Sequence, residues 1–375
     1  MSKVIRDLVT RLDKKIDETS IGDPYLAPEN YLVFPLARER FHLIANRDGE
    51  QTLAFIDGGN QELIGAPNFS VQLNRIYFNV FKGNKRIIHD SIPHTIAFYS
   101  ATFSRFYNGS IYYDTTLFPT QEEWSRYLPS EADLSFNSMD RTVMVGNQRA
   151  DIQRVGSIAR RFAEWNYARF VVEQALDRND ILVTDGTLQT AFKNEDSYFQ
   201  KLEGSSLSRG VILTGLAKTS ALFTSTGLSL IGSILRLAQD CDLGTCKWGY
   251  YPIADGLGVE HGVRISAIKL HEQSNHVFRF ELSKKQVDKM DDDDMAGILA
   301  SLATNSSDIS FPGYPYGLVE ADASARVTSE EAQTQRVLLL SEISRREIWD
   351  KINRHTSASN AHDVLDFLKA GVVVV

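Results

Sequence analysis

Two aspartates stand in matching settings. Asp57 closes the apolar run of QTLAFIDGGN and is followed by Gly58 and Gly59; Asp185 closes ILVTD and is followed by Gly186 in ILVTDGTL. Short apolar runs rich in aliphatic residues read as strands, so each carboxylate is expected at a strand end with a bare backbone beside it. If the two strands are neighbours in one sheet, both charges reach the same edge, where an open α/β sheet holds its ligands. Two carboxylates so placed repel each other unless a proton or a cation intervenes. Hard divalent cations take oxygen ligands, and a pair of them can activate water and stabilise a leaving oxygen in phosphodiester cleavage. The glycines are expected to let a bulky substrate approach the backbone. The plainer alternative is that strand–Asp–Gly marks only a turn.

A third carboxylate is expected from the helix before ILVTD. Residues 151–177 read as one long helix with Ile158, Phe162, Trp165, Ala168, Val172, Ala175 and Leu176 along one broad face. Glu164 and Glu173 are nine positions apart, about two and a half turns, so they point to opposite sides and at most one joins the site. The helix runs back against ILVT, which brings its N-terminal half to the strand's C-terminal edge. That favours Glu164 and leaves Glu173, the alternative, facing solvent.

These residues need a frame. Residues 3–18 carry Val4, Ile5, Leu8, Val9, Leu12 and Ile16 at helical spacing, which describes an amphipathic helix that must lie on something. Strands are expected at 32–36 and 52–56, then an antiparallel meander between 69 and 118. Residues 119–150 are polar and irregular apart from a capped turn at 120–127. GVILTGLAK is the next strand after ILVT, followed by a helix around 228–239, strands near 262–270 and 276–282, and helices at 293–303, 328–352 and 359–369 before the tail VVVV. We divide the chain into an N-terminal helix (1–20), one α/β domain (21–352) and a C-terminal helix with an apolar tail (353–375).

Composition narrows the class. The 375 residues are 43% hydrophobic and 23% charged, ordinary for a soluble globular protein, and no apolar run is long enough to span a membrane. With no signal peptide and only Cys241 and Cys246, a reducing, cytoplasmic setting is expected. A net charge of −8 argues against indiscriminate nucleic-acid binding, although Arg149, Arg154, Arg160, Arg161 and Arg169 cluster in one segment, and Lys193, Lys201, Arg209 and Lys218 follow. Gly210, Gly215 and Lys218 do not make a phosphate loop, because a strand lies between the glycines. His271 and His276 are five apart, roughly 140° around a helix, and cannot share a metal there. DDDD at 291–294 reads as a helix start.

In order along residues 30–345, FIDGGN, RRFAEWNYARFVVE, ILVTDGTL, GLAKTS and YPYGLVEADASARV resemble the motifs of the NurA nucleases. The resemblance implies a ribonuclease H-like mixed sheet flanked by helices with helical decorations. It also implies a manganese- or magnesium-dependent deoxyribonuclease, a homodimer that processes DNA ends with the hexameric HerA ATPase in archaeal break repair. It makes Asp57, Glu164 and Asp185 metal ligands, puts Lys218 beside the substrate phosphates and Tyr314 in the active site. Many members carry histidine eight residues after the tyrosine, where this sequence has Asp322. That residue is expected to be a further ligand, a proton donor, or an acceptor of backbone hydrogen bonds with Glu320 left on the surface. Two other functions compete: a non-cleaving subunit that binds DNA or the translocase, and a metal-free hydrolase of the glycosidase type.

Overall fold

The computed structural model describes residues 2–15, 20–45, 49, 51–258 and 260–356. Its frame is one large mixed sheet flanked by helices. Four long antiparallel strands open it: β1 (Thr52–Ala66), β2 (Phe69–Lys82), β3 (Thr95–Tyr107) and β4 (Ser110–Pro119). Helix α2 (Ile158–Ala175) crosses to β5 (Ile181–Asp185), and α3 (Glu195–Arg209) crosses to β6 (Ile212–Ala217). β5 lies parallel to both β1 and β6. Then β7 (Trp248–Gly256), β8 (Val263–Lys269) and β9 (Phe278–Ser283) add antiparallel strands beyond β6, giving the order β7-β8-β9-β6-β5-β1-β2-β3-β4. Antiparallel strands first, then two parallel strands joined through helices, is an arrangement compatible with a ribonuclease H-like core.

Alternation along β1 shows how the layers form. Ala54 and Ile56 face a cluster that includes Phe162, Trp165, Ala168 and Val172 of α2. Leu53 and Phe55 face the opposite cluster, built by α4 (Asp292–Asn305) and α5 (Tyr316–Ala325). A strand buried on both faces needs apolar residues at successive positions, which is what TLAFI supplies. All seven apolar residues expected on the α2 face are buried.

Several expectations change. The strand at 52–56 does not end in a turn at Asp57: β1 continues to Ala66 because β2 pairs with it throughout, Asp57 opposite Tyr77 and Gly58 opposite Ile76. The helix expected over 151–177 is broken at Ser157 into Ile152–Gly156 and α2. The turn at 120–127 is a 3-10 helix, Glu122–Tyr127, without a side-chain cap. Two elements, α3 and β7, have no counterpart among the expected ones; α3 lacks a clear apolar stripe, and β7 contains Pro252. The last long helix is shorter, α6 (Ser329–Arg345). DDDD does start α4, with Asp291 and Asp294 forming a reciprocal cap. Helix α1 (Lys3–Lys15) forms as expected, but among the described residues nothing covers its apolar side: Val4, Ile5, Leu8, Val9 and Leu12 are all exposed. Ile16 and the helix and tail expected after residue 358 lie outside the described residues.

Candidate metal centre

The site forms where a ladder stops. β5 pairs with β1 from Ile181–Leu53 to Thr184–Ile56, so the next step of that register sets Asp185 against Asp57. β5 then ends. Gly186 turns away with φ +110°, a conformation that disfavours any side chain, and a Cβ there would meet nothing. Beyond this point β1 has lost its neighbour on that side, which opens a cleft of about 460 Å³ between β1, the start of α2 and the ends of β5 and β6.

Three carboxylates converge there. Asp57, Asp185 and Asp322 each offer an oxygen, and these atoms lie within 4.8 Å of one another. Asp322 arrives on α5, which packs across β1 from the face opposite α2. Lys218, just past the end of β6, bridges two of them, with Nζ 2.7 Å from Asp185 Oδ2 and 2.7 Å from Asp322 Oδ1. Tyr314 is fully buried against Phe278 and Phe311, and its hydroxyl lies 3.5 Å from Asp185 Oδ1. Lys218 Nζ stands over the same ring at 5.8 Å.

Glu164 lines the same cleft but stands outside the tight cluster. Arg160 bonds its Oε1, and Arg161 Nη1 lies 3.8 Å from Oε2. Glu173 is elsewhere and does not simply face solvent. It takes Arg169 at 2.9 Å and the Ser205 hydroxyl of α3 at 2.7 Å, because α3 packs alongside α2.

The electrostatics follow from this crowding. Burial, then Asp185, then Glu164 push the Asp57 carboxyl up to about 8. Burial also raises Glu164, against the pull of Arg160 and Arg161. Burial would raise Asp322 too, but Lys218 and Arg326 hold it below the usual carboxylate range. Burial and the neighbouring aspartates keep the Tyr314 hydroxyl protonated. The donor set therefore fits a hard divalent cation. It offers only oxygen, in a small space, with one acid forced toward its protonated form by burial and by the carboxylates beside it.

The glycines have a different role from the one expected. A Cβ at Gly58 would collide with the Glu164 carboxylate, and one at Gly59 with the Ala325 carbonyl, so both make room for the protein's own helices. Of the three, Gly186 alone faces open space. Asp322 does not simply accept backbone hydrogen bonds, since its carboxylate takes Lys218 and, at 2.5 Å, Arg326. Nor does Glu320 lie free on the surface: Tyr77 donates to it at 2.8 Å and Arg86 at 2.5 Å.

Two further groups belong to the site, Arg160, which the sequence shows only as one of a basic cluster, and Glu281. Arg160 stands four residues before Glu164, an ion-pair spacing that was there to be noticed. Glu281 on β9 had no such signal. It accepts from Leu188 N at 2.8 Å, forms an ion pair with Arg279 at 2.6 Å and lies 3.0 Å from His261 Nε2, so it fastens the loop that follows Asp185. Residues so distant in sequence meet only through the sheet.

Fold and site together define a mixed α/β protein with an acidic, cation-suited centre where two parallel strands part company. A family model described as the NurA domain matches residues 51–327, well over half of the chain, and the protein belongs to the NurA family. No curated protein sequence matches it. Among solved structures, one described as NurA is 7% identical with a TM-score of 0.47, covering 92% of this chain and 98% of that one. Endonuclease V of Ciona intestinalis, crystallised with an inosine-containing DNA, gives 9% identity and a TM-score of 0.35, with coverage of 73% and 84%. An Argonaute of A. aeolicus gives 9% and 0.28, with coverage of 74% and 28%. No described helix is long and apolar enough to cross a membrane.

Proposed function

We propose that this NurA-family protein is a divalent-metal-dependent deoxyribonuclease that hydrolyses phosphodiester bonds at DNA ends. The observation that carries this reading is the convergence of Asp57, Asp185 and Asp322 within 4.8 Å beside Glu164. Asp57, Asp185 and Asp322 would hold manganese or magnesium, with Glu164 as a further ligand. Bound there, the cation would supply an acidified water and charge compensation at the leaving oxygen. The protein's own groups prepare the rest. Lys218 presents an ammonium at the mouth of the carboxylate cluster, where it can meet a non-bridging phosphate oxygen. The buried Tyr314 hydroxyl stays protonated and orients Asp185 by donating to it. Gly186 leaves open space for a sugar–phosphate backbone.

End-labelled single- and double-stranded DNA, incubated with manganese, magnesium or chelator, tests this directly. Cleavage with either ion and none with chelator is expected; cleavage that persists in chelator would sink the metal reading. The runner-up is a subunit that binds DNA or a translocase without cutting, which DNA binding without cleavage under every metal condition would favour. We also propose a cytoplasmic homodimer that works with a HerA-type ATPase. The exposed apolar residues Val4, Ile5, Leu8, Val9 and Leu12 of α1 support a docking role for that helix. Removal of residues 1–18 should weaken association with the ATPase more than it weakens intrinsic cleavage, and unchanged association would count against α1.

A further inference from the structure

Arg160 is more than one half of a surface ion pair. Its Nη1 bonds Glu164 Oε1 and also donates to the Gly58 carbonyl at 3.0 Å, while its Nε donates to Asn60 Oδ1 at 3.1 Å. Both anchors lie on β1 just past Asp57, along the stretch where β5 no longer flanks the strand. An ordinary pair four residues apart on a helix needs no such anchors and is loosely held. Here the side chains of Arg160 and Glu164 are only 24% and 12% exposed, so the guanidinium is a fixed charge in a cleft of limited solvent. Glu164 is thereby occupied, whereas Asp57, Asp185 and Asp322 come together without it.

Given a divalent cation at the carboxylates as proposed above, we infer that Arg160 is a built-in counter-charge for Glu164. It holds the Oε1 of that carboxylate beside Gly58 and apart from the Asp57–Asp185–Asp322 cluster, so this oxygen engages the cation only by giving up the guanidinium. Arg160 acts through Glu164 and is a positioning residue. Its fork of contacts sets both the place of Glu164 and the threshold at which the carboxylate transfers to a metal. An arginine suits this task because its planar donors satisfy the Gly58 carbonyl, the Asn60 amide and the carboxylate at once, which a lysine cannot do.

Calorimetric titration of Mn²⁺ into the full-length protein without DNA tests the inference through binding alone. Arg160→Gln should bind Mn²⁺ about tenfold more tightly than the unsubstituted protein, the scale of one charge-assisted contact no longer competing. Arg160→Lys, which keeps the charge but not the fork, should fall between the two. In a Glu164→Gln background the tightening should vanish. Unchanged or weaker binding by a natively folded Arg160→Gln protein overturns the inference, as does equal tightening with and without Glu164, which would indicate only a general charge effect. Should Arg160→Gln fail to fold, Arg160→Lys decides, and wild-type affinity in that variant overturns it. If the unsubstituted protein binds no Mn²⁺, the metal reading fails and this inference with it; binding without any effect of Arg160 sinks the inference alone.

Discussion

Replacing Asp57 with asparagine should make the metal-free protein more stable, by an amount that depends on pH. Burial and the neighbouring Asp185 and Glu164 raise the Asp57 carboxyl from 3.8 to about 8. Between those values the native state holds this proton and the unfolded chain does not. Stability therefore falls as pH rises, by about 1.4 kcal/mol per pH unit from this one group. At pH 7 the accumulated penalty is about 4 kcal/mol; below pH 4, where both states are protonated, it is gone. The amide of Asp57→Asn is neutral throughout and carries no such penalty. Urea unfolding in chelator should thus show the variant more stable by a few kcal/mol at pH 7 to 8, with the gap closing toward pH 4. Manganese should narrow the gap from the other side, because bound cation stabilises the wild type by mass action. A gap of the same size at pH 5 and pH 8, or a less stable variant at pH 8, would show that burial and the neighbouring carboxylates do not raise Asp57 in the native state.

Three further outcomes follow from the same geometry. Asp185→Ala should cut cleavage of end-labelled DNA by at least a thousandfold while its circular dichroism stays native, since one ligand of the proposed metal centre is lost without a core residue; full activity in manganese would remove Asp185 from the centre. Glu164→Gln should reduce the rate by at least tenfold more than Glu173→Gln, because Glu164 lines the cleft and Glu173 is spent on Arg169 and Ser205; reversed costs would show that the wrong end of α2 serves the chemistry. Asp322→Asn should raise the manganese concentration for half-maximal cleavage by roughly tenfold with a smaller effect on the maximal rate, since an amide is a poorer ligand than a carboxylate; a lower maximal rate with an altered pH profile and unchanged metal dependence would make Asp322 a proton donor instead.

Local patterning determined a good deal of this protein. TLAFI and ILVT announce doubly buried strands because their apolar residues run on without alternation, and both do form parallel neighbours. Helical geometry alone put Glu164 and Glu173 on opposite sides of α2, and the two do point to different surroundings. The acidic start of α4 was legible because a cap is a matter of a few adjacent residues. Other features depended on partners that no short window contains. Asp57 looked like a strand end because DGG is a turn signal, yet the strand continues since β2 supplies hydrogen bonds through the glycines. Gly58 and Gly59 are small because Glu164 and Ala325, both far along the chain, press against them. The bridging of Asp185 and Asp322 by Lys218, the anchoring of Arg160 on β1 and the clamp of Glu281 on the Asp185 loop all join residues from separate strands and helices. Periodicity fixes which face of an element is apolar; which charges meet at its end is decided only when the sheet is assembled, because their energy depends on distances that the sequence does not carry.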